Sequence, residues 1–135
     1  MTRINNFVEL GARVFIGTPF LLSGLGKLGA YTATAGFMAS QGVPGWMLPL
    51  VIATEVGGSL AIILGWHTRI AAFLLGGFTM LTAFVFHTHF ADQTQMIMFM
   101  KNVAIAGAYM LLVVQGAGAY SLDQRFGRAT RAVTA

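Results

Sequence analysis

The fold of this chain is decided by residues 46–66, which read WMLPLVIATEVGGSLAIILGW. A helix of about 20 residues spans roughly 30 Å, the hydrocarbon thickness of a bilayer. Tryptophan rings favour membrane interfaces, so we expect Trp46 and Trp66 to mark the two ends of a membrane span. Glu55 then lies near the midplane, where an unpaired carboxylate costs at least about 2.5–3.5 kcal/mol. We therefore expect this glutamate to have a partner, a proton or a function.

The composition predicts a membrane protein. Of 135 residues, 56% are hydrophobic and 9% are charged, and the mean hydropathy is +0.74. A soluble domain carries about 25% charged residues. The length predicts a single domain over residues 1–135, with the lipid bilayer as its partner. Because the basic residues stand mainly at helix ends, the net charge of +4 is explained by membrane topology, and no nucleic-acid partner is expected.

Four apolar segments are long enough to cross a membrane. They cover approximately residues 7–26, 46–64, 70–86 and 97–115. This pattern predicts an all-α integral membrane four-helix bundle. Residues 31–45 are too short and too mixed to cross, so they are expected to form a short interfacial helix, a re-entrant segment or a simple packed connector. The tight link at residues 65–69 makes the second and third spans antiparallel neighbours.

Charge in the loops predicts the orientation. With four spans, the N-terminus, residues 65–69 and the C-terminus share one side of the membrane. The arginines expected on that side are Arg3, Arg69, Arg125, Arg128 and Arg131. The opposite side has Lys27 and Lys101. The positive-inside rule therefore predicts that both termini are cytoplasmic, while residues 31–45 and 89–95 face outward.

A stripe of cations and glycines runs along the first span. Its residues, spaced by four and three, are Arg13, Gly17, Phe20, Gly24 and Lys27. This spacing places them on one helical face, which must meet protein or a cavity and not lipid. Arg13 lies in the inner half of the span, and its long side chain is placed to reach Glu55. Two interpretations stay open: a structural ion pair that fixes helix register, or a glutamate that titrates or binds a polar ligand.

A second polar group is expected at the outer ends of the spans. Its members are Lys27, His87, His89, Asp92, Lys101 and Asn102. Lys101 either snorkels outward or turns into the bundle. Cations, an imidazole and an amide above a midplane carboxylate would form a polar vestibule. Such a vestibule suits an anion or the carbonyl oxygens of a quinone. The candidate pocket residues are Arg13, Lys27, Glu55, His87, Lys101 and Asn102.

The residues favour neither a metal nor a self-contained catalytic centre. His87, His89 and Asp92 are only weak metal candidates, because their spacing is loose and their position is interfacial, so no metal is expected. His67 lies on the opposite side from the other histidines, which disfavours haem held between two of them. The chain has no cysteine and therefore no thiol, disulfide or iron–sulfur chemistry of its own. No phosphate-binding loop or serine-nucleophile elbow is present, and the catalytic residues stay unassigned.

These motifs together resemble the DoxX family. The resemblance is carried by the stripe from Arg13 to Lys27, Gly42-Val43-Pro44, Glu55 with Gly57, the Gly65/Thr68-Arg69 turn, His87, Met100-Lys101-Asn102, and the GAGAYSLD run at residues 116–123. It implies a small bacterial inner-membrane protein with four helices, of a family whose members are often labelled oxidoreductases without an assigned reaction. Some members are linked to quinone-dependent oxidation of sulfur compounds, or to membrane complexes that handle oxidative and thiol stress.

Three functions follow from the resemblance and the residues. The first is a subunit of a quinone-linked redox or oxidative-stress system, in which quinone is the expected ligand and a redox partner protein supplies the electrons. The second is a non-catalytic membrane scaffold for a partner protein. The third is a small-molecule carrier, which four spans in one protomer allow only as a homo-oligomer.

Overall fold

The computed structural model describes residues 2–133, with side chains described for residues 3–127. Six α-helices are present in this part of the chain: α1 (Thr2–Gly29), α2 (Tyr31–Ser40), α3 (Leu48–Leu64), α4 (Thr68–Phe86), α5 (Gln93–Gln115) and α6 (Leu122–Val133). No strand occurs between residues 2 and 133. Helices α1, α3, α4 and α5 are each long and apolar enough to cross a membrane. The all-α four-helix membrane bundle is thereby confirmed.

The helix bounds differ modestly from the expected spans. The first helix begins at Thr2 and ends at Gly29, so it exceeds the expected 7–26 at both ends. The fourth span begins at Gln93 and not at 97, because the Asp92 side chain accepts a hydrogen bond of 2.8 Å from the backbone N–H of Thr94. That contact is a helix N-cap, which lets a polar first turn precede the apolar part of the helix.

The four long helices follow one another around the bundle in chain order. The most extensive contacts join α1 to α3 and α4 to α5, and α3 packs on α4. Tyr109 on α5 closes the ring, since its hydroxyl donates to the carbonyl of Ile16 at 3.1 Å and its ring meets Phe20 edge-on at 5.7 Å. Tyr109 itself is fully buried. The contact between α1 and α5 is therefore centred on Tyr109 and is less extensive than the contacts of α1 with α3 and of α4 with α5.

Glycines bring α1 and α3 into close contact. A Cβ atom on Gly24 would lie 2.7 Å from Cγ2 of Val56 and 3.1 Å from Cβ of Glu55. One on Gly17 would lie 2.7 Å from Cγ1 of Ile63. Small residues allow such approach between membrane helices. The prediction that this stripe faces protein is confirmed, and the backbone of α1 passes directly beside Glu55.

Helix α2 covers one end of the bundle. Met38 is buried against Leu48 and Ile52 on α3, and the ring of Phe37 stacks on Phe86 at the end of α4, with 5.7 Å between centroids. The short helix expected between the first two spans is thus present. We call this end of the bundle the α2 end. The opposite end, which carries the α3–α4 turn and the start of α6, is the α6 end.

Candidate functional site

Glu55 forms an ion pair with Lys27 near the α2 end. The Lys27 ammonium lies 2.8 Å from Oε2 and 2.9 Å from Oε1 of Glu55, and it also donates to the hydroxyl of Ser23 at 2.6 Å. The Ser23 hydroxyl lies 3.4 Å from Oε1 of Glu55. The Glu55 side chain is 7% exposed and that of Lys27 is 23% exposed. The carboxylate in the middle of α3 therefore has the partner that its position demands.

The local sequence explains this cluster. Ser23 and Lys27 are four residues apart on α1, which places them one above the other on one helix face. Gly24 on the same face lets α3 approach closely enough for Glu55 to reach both. Lys27 lies in the last turn of α1, where the helix dipole favours a cation. Its flexible stem extends from there to the carboxylate, so the charges neutralise each other within the membrane-spanning part of the bundle.

The expectation that Arg13 reaches Glu55 is wrong. Arg13 precedes Lys27 by 14 positions on α1, which corresponds to about 21 Å along a helix. Both cations belong to the same stripe, but they lie at opposite ends of the bundle. Lys27 is the one that meets the carboxylate, because the two antiparallel helices bring Gly24 beside Glu55.

Arg13 binds backbone carbonyls at the α6 end. Its guanidinium donates to the carbonyls of Ile62 at 3.2 Å and Ile63 at 2.9 Å, and also to the carbonyl of Tyr120. The residue is only 1% exposed. The last carbonyls of a helix have no partner within the helix, and the dipole there favours a cation. Arg13 thus ties α1 to the end of α3 and to the loop after α5.

Asp123 adds a second link at the α6 end. Its carboxylate accepts hydrogen bonds from the backbone N–H groups of His67 at 2.7 Å and Thr68 at 2.9 Å, and its own N–H donates to Gly65 at 2.8 Å. Asp123 therefore caps the N-terminus of α4 from a distant part of the chain. Gly65 adopts a left-handed conformation with φ of 70°, which glycine accommodates without strain.

The remaining candidate residues are not joined to the ion pair. His87 lies just after α4, where its Nδ1 is 2.8 Å from Oε1 of Gln95. Lys101 is exposed on α5, and the neighbouring Asn102 is half-buried. Among the hydrogen bonds of the described side chains, none connects His87, Lys101 or Asn102 to Lys27 or Glu55. Of the six candidate pocket residues, the structure brings Lys27 and Glu55 together.

The weak metal candidates His87, His89 and Asp92 have separate partners and surroundings. His87 is engaged with Gln95, His89 is exposed, and Asp92 caps α5. Across the side chains that the structure describes, no group of three His, Asp or Glu residues is arranged to hold a metal ion.

Three features of the structure are not among the predictions from the sequence. Ser23 is one, although its position four residues before Lys27 is a readable signal. Tyr109 is another, and a tyrosine inside an apolar span is a weak sign of a buried hydrogen bond. The third is an open cleft of about 710 Å³ at the α6 end, lined in part by Glu9, Arg69 and Asp123. These come from three different helices, so no local motif could reveal the cleft.

Comparison with known proteins identifies the family. A family model for DoxX matches residues 8–88, well over half of the chain. The chain belongs to the DoxX family. The DoxX match includes Arg13, Lys27, Glu55 and His87 and ends before α5, so Lys101 and Asn102 fall outside it. No solved structure matches this DoxX chain.

Two relatives from Escherichia coli (strain K12) are similar to this chain over most of its length. Inner membrane protein YqjF is 46% identical over 124 residues, which cover 92% of this chain and 95% of that protein. Inner membrane protein YphA is 41% identical over 122 residues, which cover 84% of this chain and 86% of that protein. Both names agree with the four apolar helices and with the expected location in the inner membrane.

Proposed function

We propose that this DoxX protein is a subunit of a quinone-linked redox or oxidative-stress system, and that it binds a quinone-like or anionic small molecule beside Lys27 and Glu55. The observation that carries the proposal is the ion pair itself, a titratable acid and base in hydrogen-bond contact within membrane-spanning helices. Its cation is the more exposed partner, at 23% of the side chain. A ligand approaching the pair from the membrane therefore meets the ammonium group first.

The pair has the chemistry that a quinone site needs. A lysine ammonium donates hydrogen bonds to a carbonyl oxygen or to an anion. In the proposed site Lys27 binds and orients the quinone carbonyl, and the two electrons and two protons that turn a quinone into a quinol come from the redox partner and the solvent. Ligand binding would exchange the bond to Ser23 for one to the ligand, which leaves the ion pair intact. The electrons would come from a separate carrier, because the chain itself has no cysteine and no recognisable cofactor motif.

His87, Lys101 and Asn102 complete the proposed site as its mouth. Lys101 is exposed and free to guide an anion by its charge. Arg13 takes no direct part in this proposal. Its contacts close the α6 end and hold α1 against α3, which keeps Gly24 and Lys27 in register with Glu55.

The contacts of Lys27 also favour a second candidate function. Its ammonium already donates to both oxygens of Glu55 and to Ser23, so all three N–H groups have acceptors without a ligand. A pair satisfied in this way is suited to fixing helix register in a non-catalytic scaffold for a partner protein.

Quinone titration of the purified protein separates the two functions. We expect a short-chain ubiquinone analogue to bind in nanodiscs, and His87→Gln and Lys101→Gln to weaken binding without lowering the melting temperature. His89→Gln is the matched control, because that exposed histidine lies two positions from His87. Binding that is absent in the unmodified protein, or equal in all variants, would reject the quinone site and leave the scaffold function.

A further inference from the structure

Helix α6 has two chemically distinct faces. Its apolar residues recur at intervals of four, three and four: Leu122, Phe126, Ala129 and Val133. Its arginines recur every three residues: Arg125, Arg128 and Arg131. On a helix, the spacing of four, three and four places the apolar residues along one face. The spacing of three places the arginines on the side next to this face and on the side opposite to it. The pattern is typical of a basic amphipathic helix that lies on a membrane surface.

The acidic residue of α6 is engaged in hydrogen bonds to the start of α4. Within residues 122–133 the only acidic residue is Asp123, and its carboxylate is bonded to the backbone N–H groups of His67 and Thr68. The arginines therefore dominate the charge of the helix. Phe126 on the apolar face is 56% exposed.

The bundle fixes where α6 begins. Through Asp123 the first turn of α6 is attached to the α3–α4 turn, which joins the ends of two helices long and apolar enough to cross a membrane. Ser121 secures the preceding loop, since its hydroxyl donates to Gly118 at 2.7 Å and accepts from the N–H of Gln124 at 3.2 Å. An amphipathic helix anchored at this depth starts at the level of the lipid headgroups.

We propose that α6 binds the surface of an anionic phospholipid leaflet. Its apolar face enters the boundary between headgroups and acyl chains, and its positive charge is attracted to lipid phosphates. Complementary charge selects the lipid, since each arginine near an anionic surface strengthens binding roughly five-fold. The three arginines together supply about a hundred-fold preference for anionic over zwitterionic lipid. Lipid binding by α6 does not depend on the orientation of the protein in the membrane, and it does not depend on the proposed quinone site.

Spin labels can test the proposal, because the chain has no native cysteine. Phe126→Cys and Gln124→Cys place a nitroxide on opposite sides of α6, two residues apart. Each labelled protein is reconstituted at one copy per nanodisc, in phosphatidylcholine alone or with a third of phosphatidylglycerol. We expect the label at position 126 to become at least three-fold less accessible to a water-soluble nickel chelate when phosphatidylglycerol is present, and the label at position 124 to stay accessible.

The arginine dependence is tested in the same nanodiscs. Replacing Arg125, Arg128 and Arg131 together by glutamine should abolish the effect of phosphatidylglycerol at position 126. Arg3→Gln, which removes an exposed arginine from α1, should not change it. Equal chelate accessibility of both labels would show that α6 lies in water and would overturn the proposal. Protection that is equal in both lipids, or that appears only with two copies per disc, would assign the apolar face to protein and overturn it as well.

Discussion

The pairing of Lys27 with Glu55 predicts strong energetic coupling between these two residues. Lys27→Met leaves a carboxylate that is 7% exposed with only the long contact to Ser23. Glu55→Leu leaves the ammonium group with Ser23 alone. Removing one member of a buried ion pair typically costs about 3–5 kcal/mol, whereas replacing both members by apolar residues of similar size is often nearly neutral.

The geometry sets the size of the coupling. Two unit charges 2.8 Å apart attract each other by about 6 kcal/mol at an effective dielectric constant of 20. Desolvation of the two charges offsets part of this attraction. We therefore expect each single variant to lose about 3 kcal/mol of unfolding free energy. The double variant should lose about 1 kcal/mol or less, which gives a coupling of several kcal/mol.

The assay is a double-mutant cycle on reversible unfolding, with sodium dodecyl sulfate as denaturant in mixed micelles. The matched control is the cycle of Arg13→Met with Glu55→Leu. Those two positions lie at opposite ends of the bundle, so their effects should add to within about 0.5 kcal/mol. A coupling near zero for Lys27 with Glu55, or a large one for Arg13 with Glu55, would refute the ion-pair assignment.

Three other predictions test the bundle. Arg13→Met should cost about 3 kcal/mol of unfolding free energy, because the carbonyls of Ile62, Ile63 and Tyr120 lose a charged donor that is itself 1% exposed. Arg13→Lys should restore less than half of this loss, since lysine lacks the forked donors, and full rescue by lysine would contradict the geometry. Gly24→Ala should lower the free energy of unfolding by about 1–3 kcal/mol, because the added methyl group forces α1 and α3 apart. Gly26→Ala is the control, since a methyl group there meets no atom within 4 Å and should not destabilise the protein. Equal decreases in the melting temperatures of the two variants would count against close packing at Gly24. Cysteines at Ser40 and Thr94 should react with an impermeant maleimide in intact cells if both termini are cytoplasmic; reaction only after lysis would reverse the orientation.

Much of the architecture was predictable from the sequence because membrane helices obey simple rules. Span length, the cost of a carboxylate in lipid and the four-and-three spacing of the stripe required a helical bundle in which Glu55 has a partner. The identity of that partner was not predictable. Arg13 and Lys27 occupy the same face of α1, and the choice between them depends on how far α1 and α3 are shifted along each other. That shift is set by the contacts of Gly17 and Gly24 with α3.

The α6 end was harder to predict because its contacts are between backbone groups and residues far away in sequence. Tyr120 contributes a carbonyl to Arg13, so the identity of its side chain gave no signal. Asp123 caps α4 and not the helix in which it stands, so no local capping rule identifies its role.

The contacts of Arg13 have a consequence for how the protein is made. Its carbonyl acceptors follow it by 49, 50 and 107 positions. At a synthesis rate of about 5–20 residues per second, the last acceptor leaves the ribosome about 5–20 s after the arginine. Until Ile62 and Ile63 have been made, the arginine has none of these acceptors, and its long stem can hold the guanidinium at the interface. Arg13 reaches its full set of acceptors only when the loop after α5 has been made, so a chain that ends after α4 lacks one of the three carbonyls that hold this arginine.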